Sequence, residues 1–491
     1  ICQLTSNVNP RNRDMHPVLT MSVVDLAKNI RDGTYTARAV LDTHIQRIEE
    51  VNPDLNAVVA NRFEAARVEA DQVDARLRTG IKDPPPLLGV PCTMKEFIAV
   101  KGQPHTGGLH VRRDIRASED AILVQRLKTA GAIVMGSTNA PEGGLWMETK
   151  NTVYGTTNNP WNLAHTSGGS SGGEGAIIST GASPFGIGSD VGGSIRIPAA
   201  FCGIVGHKPT GAMVPHHGHQ PPGHVGPYLV VGPMTRRVCD IWPILSVIRG
   251  PTAQDPHVTS FPVHDPTQVD VSKLRVFYLD APPMTSPRAE VKETVALAAE
   301  SLRRRGATAE PLRLTNLKYA IEMWSSILQD AQPHGYDVIL GDGTPINAGW
   351  ELLKWPFTKS PYTLPALLVA WGERYEELFK KRSARMIQLG HALSHELNTL
   401  LGTDGVLLYP PYTRAAPRHH RALLTPIDPV CTAVFNITKN PVTQVPLGMS
   451  AKGLPLGVQV VGGIGQDHLC VAAAAVIETD HGGWSPSMAA R

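Results

Sequence analysis

The sequence predicts an α/β fold in one continuous domain, and three observations carry that prediction. Helix-patterned and strand-patterned segments alternate along the 491 residues, as they do when helices cover a sheet. Hydrophobic residues make up 42% and charged residues 18%, which supplies a large core and excludes global disorder. No internal repeat and no clear linker divides the chain, so residues 1–491 read as one domain, although ~150 residues per domain would allow about three. Residues 1–18 are set apart as a flexible or processing-derived segment, since Ile1 is not an initiator Met.

The elements follow in order. Met21–Arg31 carries helical apolar spacing and stops at Gly33. Thr36–Val51 places Val40, Leu41, Ile45 and Ile48 on one face of a second helix. Leu55–Ala60 reads as a short strand, Arg62–Arg78 as a helix, Pro84–Pro86 as a surface loop and Gly89–Phe97 as a strand entering a turn. Asp120–Ala130 is a helix, Gly131 its stop, and Ala132–Gly136 a buried strand. Leu274–Leu279 and Pro287–Arg305 form another strand and helix; Val442–Leu447 and Leu456–Val461 are strands, and His468–Thr479 a helix. Thr166–Gly211 is dense in Gly and Ser yet broken by apolar runs, which a flexible linker would lack. It reads as ordered backbone, except that Asn158–Ser167 just before it reads as loop.

Composition narrows the function. The formal net charge is +3 without a basic block, so nucleic acid is not an expected partner. Six scattered cysteines lack CxxC spacing and point away from a zinc site or disulfide framework. No apolar run of membrane-spanning length occurs, so stable membrane insertion is not expected and a cytoplasmic location is. His207, His216, His217, His219 and His224 crowd one segment, but the prolines among them favour a solvated loop over a metal site.

Three segments carry chemistry: Lys95 after an apolar strand, Gly168–Gly173 (GGSSGG), and Gly188–Pro198 (GSDVGGSIRIP). A serine nucleophile needs a base for its proton and donors for the oxyanion that follows. Two glycines before Ser194 let successive N–H groups turn toward one point beside it. A lysine serves as base where burial disfavours its ammonium. Taken alone, a lysine at a strand end is an ordinary solvated side chain and a Gly/Ser run an ordinary loop. GGSSGG also matches GxSxG, the nucleophile elbow of α/β-hydrolases, but that pattern expects a strand directly upstream and a later Asp and His.

These segments, with GPMTR (Gly232–Arg236) and GLPLGVQVV (Gly453–Val461), resemble the amidase signature family from about Leu19 to the end. Ser194 lies 24 positions after Ser170 and Ser170 75 after Lys95, as in that family. GGSSGGEGAII, WELLKWPF (Trp350–Phe357), Tyr362–Pro365 and the LLYP…PRHH stretch (Leu407–His420) are most similar to the fatty acid amide hydrolases of the second vertebrate type. The resemblance implies a large mixed, twisted β-sheet covered by α-helices. It implies Ser194 as nucleophile, Ser170 after a cis peptide bond as relay, and Lys95 as base. Val191, Gly192 and Gly193, with Ser194, would form the oxyanion hole, and Ser171, Asp190 and Arg196 would hold the loop. Gly143, Gly144, Leu145 and Trp146 would lie beside the scissile bond. No cofactor and no metal are implied. Glu96 departs from the aspartate many members carry, and Glu174 is typical of the fatty-acid-amide branch.

The implied reaction is hydrolysis of a small-molecule amide, with carbamates and esters open to the same attack; a homodimer is left open. Two rivals share parts of the pattern: a non-catalytic module on the same scaffold, and the catalytic subunit of a glutaminyl-tRNA amidotransferase. Trp324, Trp350, Trp355, Phe357, Tyr362 and Trp371 are expected either in the core or around an aryl or acyl pocket.

Overall fold

The computed structural model describes residues 15–221, 225–262, 264–332, 334–357, 359–376 and 380–487. Its centre is an 11-stranded mixed sheet. The strands are β1 (Val58–Asn61), β2 (Pro91–Lys95), β3 (Ile133–Thr138), β4 (Phe185–Asp190), β5 (Val205–Lys208), β6 (Val230–Thr235), β7 (Arg275–Tyr278), β8 (Thr308–Pro311), β9 (Gly405–Tyr409), β10 (Val442–Met449) and β11 (Pro455–Gly462). Their spatial order is β1-β3-β2-β4-β6-β5-β10-β11-β9-β7-β8. Parallel pairs join β2 to β3 and β4, and β7 to β8 and β9; the other pairs are antiparallel. The α/β class and the large mixed sheet stand as the sequence predicts.

Central strands are continuous apolar or small-residue runs because helices cover both faces, so β2, β3, β4 and β6 are buried at every position. The edge strand β8 is largely exposed and reads Thr-Ala-Glu-Pro, with Pro311 where no N–H is needed. One core packs helices Val23–Arg31, Ala37–Leu55 and Ile122–Thr129 on the β1–β4 side; a second packs Ala289–Arg304 and Asp467–His481 on β7, β9, β10 and β11. A third joins the far face to helices Ala320–Ala331, Lys380–Leu401 and Val430–Ile437.

Several expected boundaries move. The second helix runs on to Leu55 with Pro53 in its last turn, where Asn52 accepts from the N–H groups of Ala57 and Val58 at 2.8 Å and Asn56 turns left-handed. The strand therefore starts at Val58 rather than Leu55. Asn158–Ser167 is not loop: Asn158–Asn159 pairs with Asn162–Thr166 in a small hairpin outside the main sheet. Of the expected flexible segment 1–18, residues 1–14 lie outside the described residues, and Pro17–Leu19 forms a 3-10 turn that buries Val18 and Leu19. The five described cysteines are free, and no described helix is long and apolar enough to cross a membrane.

Candidate active site

Lys95 closes β2 in the middle of the sheet, where both faces are covered and its side chain is fully buried. Its Nζ lies 2.6 Å from Oγ of Ser170 and 2.9 Å from Oγ of Ser189, and 4.5 Å from the centre of the Phe97 ring. Burial pushes its pKa down to about 7, against the opposing pull of Asp190 and Glu174. Ser170 follows a cis peptide bond from Gly169 and stands just before helix Gly172–Ser179. The Gly/Ser-rich run is thus ordered, as expected, with two helices and two strands inside it.

Ser194 sits in the turn between β4 and helix Arg196–Cys202. The Ser171 N–H donates to the Ser194 carbonyl at 3.0 Å, and its hydroxyl donates to the Ser189 carbonyl at 3.3 Å, which locks the two serine turns together. Asp190 organises the turn from below. It accepts from the N–H groups of Gly193 (2.7 Å) and Ile195 (3.0 Å), from Asn436, and from two nitrogens of Arg196. Burial favours its neutral form, but the Arg196 guanidinium outweighs that and holds the carboxyl well below the usual range. Arg196 also donates to the Thr432 carbonyl, Gln459 and Asn436, so a fully buried cation has an acceptor in each direction.

The glycines of the turn are steric requirements. Gly193 has φ +127°, and a Cβ there would stand 2.2 Å from Oγ1 of Thr432; a Cβ on Gly192 would press on the Trp324 ring at 3.1 Å. The turn's carbonyls are pinned from outside, Gly192 by Thr432 at 2.6 Å and Val191 by the Trp324 indole at 2.7 Å.

Gly143, Gly144, Leu145 and Trp146 border the same space. The Gly143 N–H donates to the Gly107 carbonyl at 3.0 Å. The Gly107 N–H in turn donates to Glu96, which also accepts from the Thr106 N–H (2.6 Å) and the Tyr154 hydroxyl (3.0 Å). Glu96 thus gathers the donors of the loop that supports Gly143, a role the sequence alone did not suggest. Glu174 accepts from Thr93 at 2.6 Å and Thr138 at 2.9 Å under β2; burial pushes its pKa up to about 8. Ser189, His219, Glu174, Thr432 and Asn436 complete the site without having been singled out for it; Ser189 stands inside the quoted GSDVGGS run.

A cavity of about 1240 Å³ opens over these residues, lined by Lys95, Ser170 and Ser194 and by Trp324, Leu328 and Val369, among others. Of the six expected aromatics only Trp324 lines it. Trp350 and Phe357 are 59% and 71% exposed, and Trp355 and Trp371 also lie at the surface, so for these four rings the expected core or pocket position is corrected, while Tyr362 packs against a small core cluster. Leu328, Val369 and Ile387 share the wall with Phe97, Trp146 and Trp324, while the helices turn Trp350, Trp355 and Trp371 outward.

The histidine segment is corrected as well. His207, His216 and His219 are buried, while His224 lies outside the described residues. His207 pairs with Asp467 and Thr443 across β5 and β10. Among the described residues one group has donors suited to a metal ion: His216, Asp255 and His257, with ligand atoms within 4.8 Å of one another. There the two imidazoles stack at 4.5 Å and Asp255 accepts from the His217 N–H at 2.6 Å.

With this geometry in place, comparison with known proteins gives a direct result. The amidase family profile matches residues 39–471. The chain belongs to the amidase signature family. Among its relatives, fatty-acid amide hydrolase 2-B of Danio rerio is 41% identical over 96% of this chain and 91% of its own length. A glutamyl-tRNA(Gln) amidotransferase component from a Roseiflexus strain is 31% identical over 90% of this chain and 92% of its own. A bacterial aryl acylamidase of the amidase signature family superposes with a TM-score of 0.80 at 26% identity, covering 94% of this chain and 96% of that one.

Proposed function

We propose that this amidase hydrolyses the C–N bond of bulky amides, anilides and medium-chain acyl amides among them, with Ser194 as nucleophile, Ser170 as relay and Lys95 as base. One observation carries the reading: a buried lysine poised to be neutral near pH 7, 2.6 Å from a serine hydroxyl, under a glycine turn that presents a second serine to the same cavity.

The steps follow from that placement. Ser194 passes its proton to Ser170 as its Oγ bonds to the carbonyl carbon, while Ser170 passes its own to Lys95. The carbonyl oxygen takes the negative charge and faces the N–H groups of the Val191–Ser194 turn. Since Asp190 holds the Gly193 N–H, Val191, Gly192 and Ser194 carry most of that load and Gly193 contributes chiefly its missing side chain. As the C–N bond breaks, Ser170 protonates the leaving nitrogen and recovers a proton from Lys95. Water then attacks the acyl-enzyme by the same route, and the acid leaves as Ser194 regains its hydrogen.

Carbamates and esters present the same carbon to Ser194 and belong to the same reading. The apolar lining favours bulk: at roughly 25 cal/mol per Å², a phenyl-sized group gains a few kcal/mol on burial. Similarity to fatty-acid amide hydrolase 2, greater than that to the amidotransferase component, also supports a free-standing amidase. A fluorophosphonate probe followed by peptide mapping tests the assignment, with label expected on Ser194. Label on Ser170 would replace it with the hydrolase-elbow reading. A panel of anilide, fatty amide, ester, aryl carbamate and acetamide tests the pocket, and equal kcat/KM on acetamide and a bulky anilide would overturn that part.

A further inference from the structure

Lys95 makes a second contact that the reaction above leaves unused. Oγ of Ser189 lies 2.9 Å from Nζ of Lys95 and 2.8 Å from Nε2 of His219. On the other side of the ring, Nδ1 of His219 lies 3.0 Å from the Pro221 carbonyl. A carbonyl oxygen only accepts, so Nδ1 carries the hydrogen and the neutral ring keeps its lone pair on Nε2. Nε2 must then accept from the Ser189 hydroxyl. That hydroxyl has one hydrogen, so toward Lys95 its oxygen can only accept. The chain has one direction: Lys95 N–H to Ser189, Ser189 O–H to His219, His219 Nδ1–H to the Pro221 carbonyl.

The direction matters because a neutral amine has two hydrogens and one lone pair. Were the Ser189 hydroxyl free to turn, it would donate into that lone pair and compete with the Ser170 proton. We propose that His219 is a positioning residue: by holding the Ser189 hydroxyl, it ties down one Lys95 N–H and leaves the amine lone pair for Ser170. The proposal rests on Lys95 being the base.

The rest of the pocket supports this. Backbone bonds on either side frame His219, from the Ala99 N–H to the Gly218 carbonyl (2.9 Å) and from the Gln220 N–H to the Phe97 carbonyl (2.8 Å). The Phe97 ring meets the imidazole edge to face at 5.6 Å, the same ring that approaches Lys95. The titratable groups facing His219 are Lys95 on β2, His105 on the following loop and His216 on its own; Glu174 and Asp190 face Lys95. Burial, then Lys95, push the imidazole down to about 3, so it stays neutral through the working range. Gln is the conservative replacement, since its carbonyl oxygen can accept from Ser189 as Nε2 does.

The test uses purified full-length protein, with folding checked by circular dichroism, and a bulky anilide. His219→Leu is expected to lower kcat about tenfold with a smaller change in KM, and to move the acid limb of the pH profile to lower pH, because Ser189 then stabilises the neutral amine. His219→Gln should restore most of the rate and the limb. In a Ser189→Ala background, His219→Leu should cost little more, since the link is already cut. A wild-type rate and limb in His219→Leu would overturn the proposal, as would a Gln variant no better than Leu, or a full additional loss in the Ser189→Ala background. Lys95→Ala, measured alongside, separates the premises. If it keeps amide turnover, the base assignment fails whatever His219 does; if it is inactive while His219→Leu behaves as wild type, only the positioning role fails.

Discussion

The buried strip around the two serine turns and the helices from Ala320 to Leu401 are built on opposite plans. In the strip polar groups answer one another inside the protein: Asp190 by Arg196, Asn436 and two N–H groups, Glu174 by Thr93 and Thr138, Lys95 by Ser170 and Ser189. Among the helices the site-facing surface mixes aliphatic and polar side chains, and several large rings look outward. Low dielectric and fixed partners would give the first region the directed proton path proposed for it. The second supplies shape, which many side chains share. Substitutions in the strip should therefore change kcat or folding, and substitutions among the helices KM and substrate range.

The largest effect expected is on chemistry. Ser194→Ala should lower kcat by about 10⁴-fold or more with the fold intact, read by steady-state anilide kinetics beside circular dichroism. A KM effect alone would erase the contrast between the regions. The pH profile sharpens the same point. On the proposed mechanism the neutral amine is the active form, and burial pushes Lys95 down to about 7, so kcat/KM should rise with pH through about 7 and level off above it. Lys95→Ala should lose that limb, and amides should suffer more than esters, because an amine leaving group needs a proton. Equal losses would make Lys95 structural.

A stability effect comes next. Asp190→Ala strands the Arg196 guanidinium in the core and should cost about 3–5 kcal/mol in urea unfolding, the size expected for a broken buried pair. The native carboxyl titrates below its unfolded value of about 3.9, so its stabilising contribution is complete above that pH and is lost as the pH falls further. A mutant as stable as wild type would show that the turn does not depend on this pair.

The smallest effects belong to the helices. Trp324→Leu removes a cavity wall and the tie to the Val191 carbonyl, and should raise KM for bulky amides several-fold, with a smaller fall in kcat that acetamide shares. Phe357→Ser, at a mostly exposed ring, should shift stability by no more than about 0.5 kcal/mol. A large loss there would mean that this helical region is more tightly integrated than its exposure suggests.

The same division explains what could be read from the sequence. The strip's segments stand out because they are local in the chain, Gly192, Gly193 and Ser194 being adjacent and Lys95 ending an apolar strand, while the roles proposed for them come from the family resemblance. Helix ends were legible where a glycine marked them, as at Gly33 and Gly131, and misjudged at Leu55, where Asn52 closes the helix past Pro53. His219 was hidden because its burial depends on the backbone pairing beside Ile98 and Ala99 rather than on any pattern in its own loop. The tryptophans misled for a related reason. Ring content says how much apolar area is present, whereas the facing of each helix decides where it goes.

Part of the joint between the two regions is made on main-chain acceptors, beside side-chain ties such as Thr363 to the Glu142 carboxylate. Trp324 and Tyr336 each cross from the helices to the strip and end on a main-chain oxygen, of Val191 and of Glu142 at 2.7 Å each. A carbonyl is present whatever residue carries it, so these ties ask nothing of the Val191 and Glu142 side chains, only that Gly192 and Gly143 beside them stay small. A lineage could exchange much of the helical cover, and with it the substrates admitted, so long as the two ring donors, the glycines under them and ties such as Thr363 to Glu142 stayed in place. Diversification of specificity and preservation of the hydrolytic apparatus would then be separate histories written in one chain.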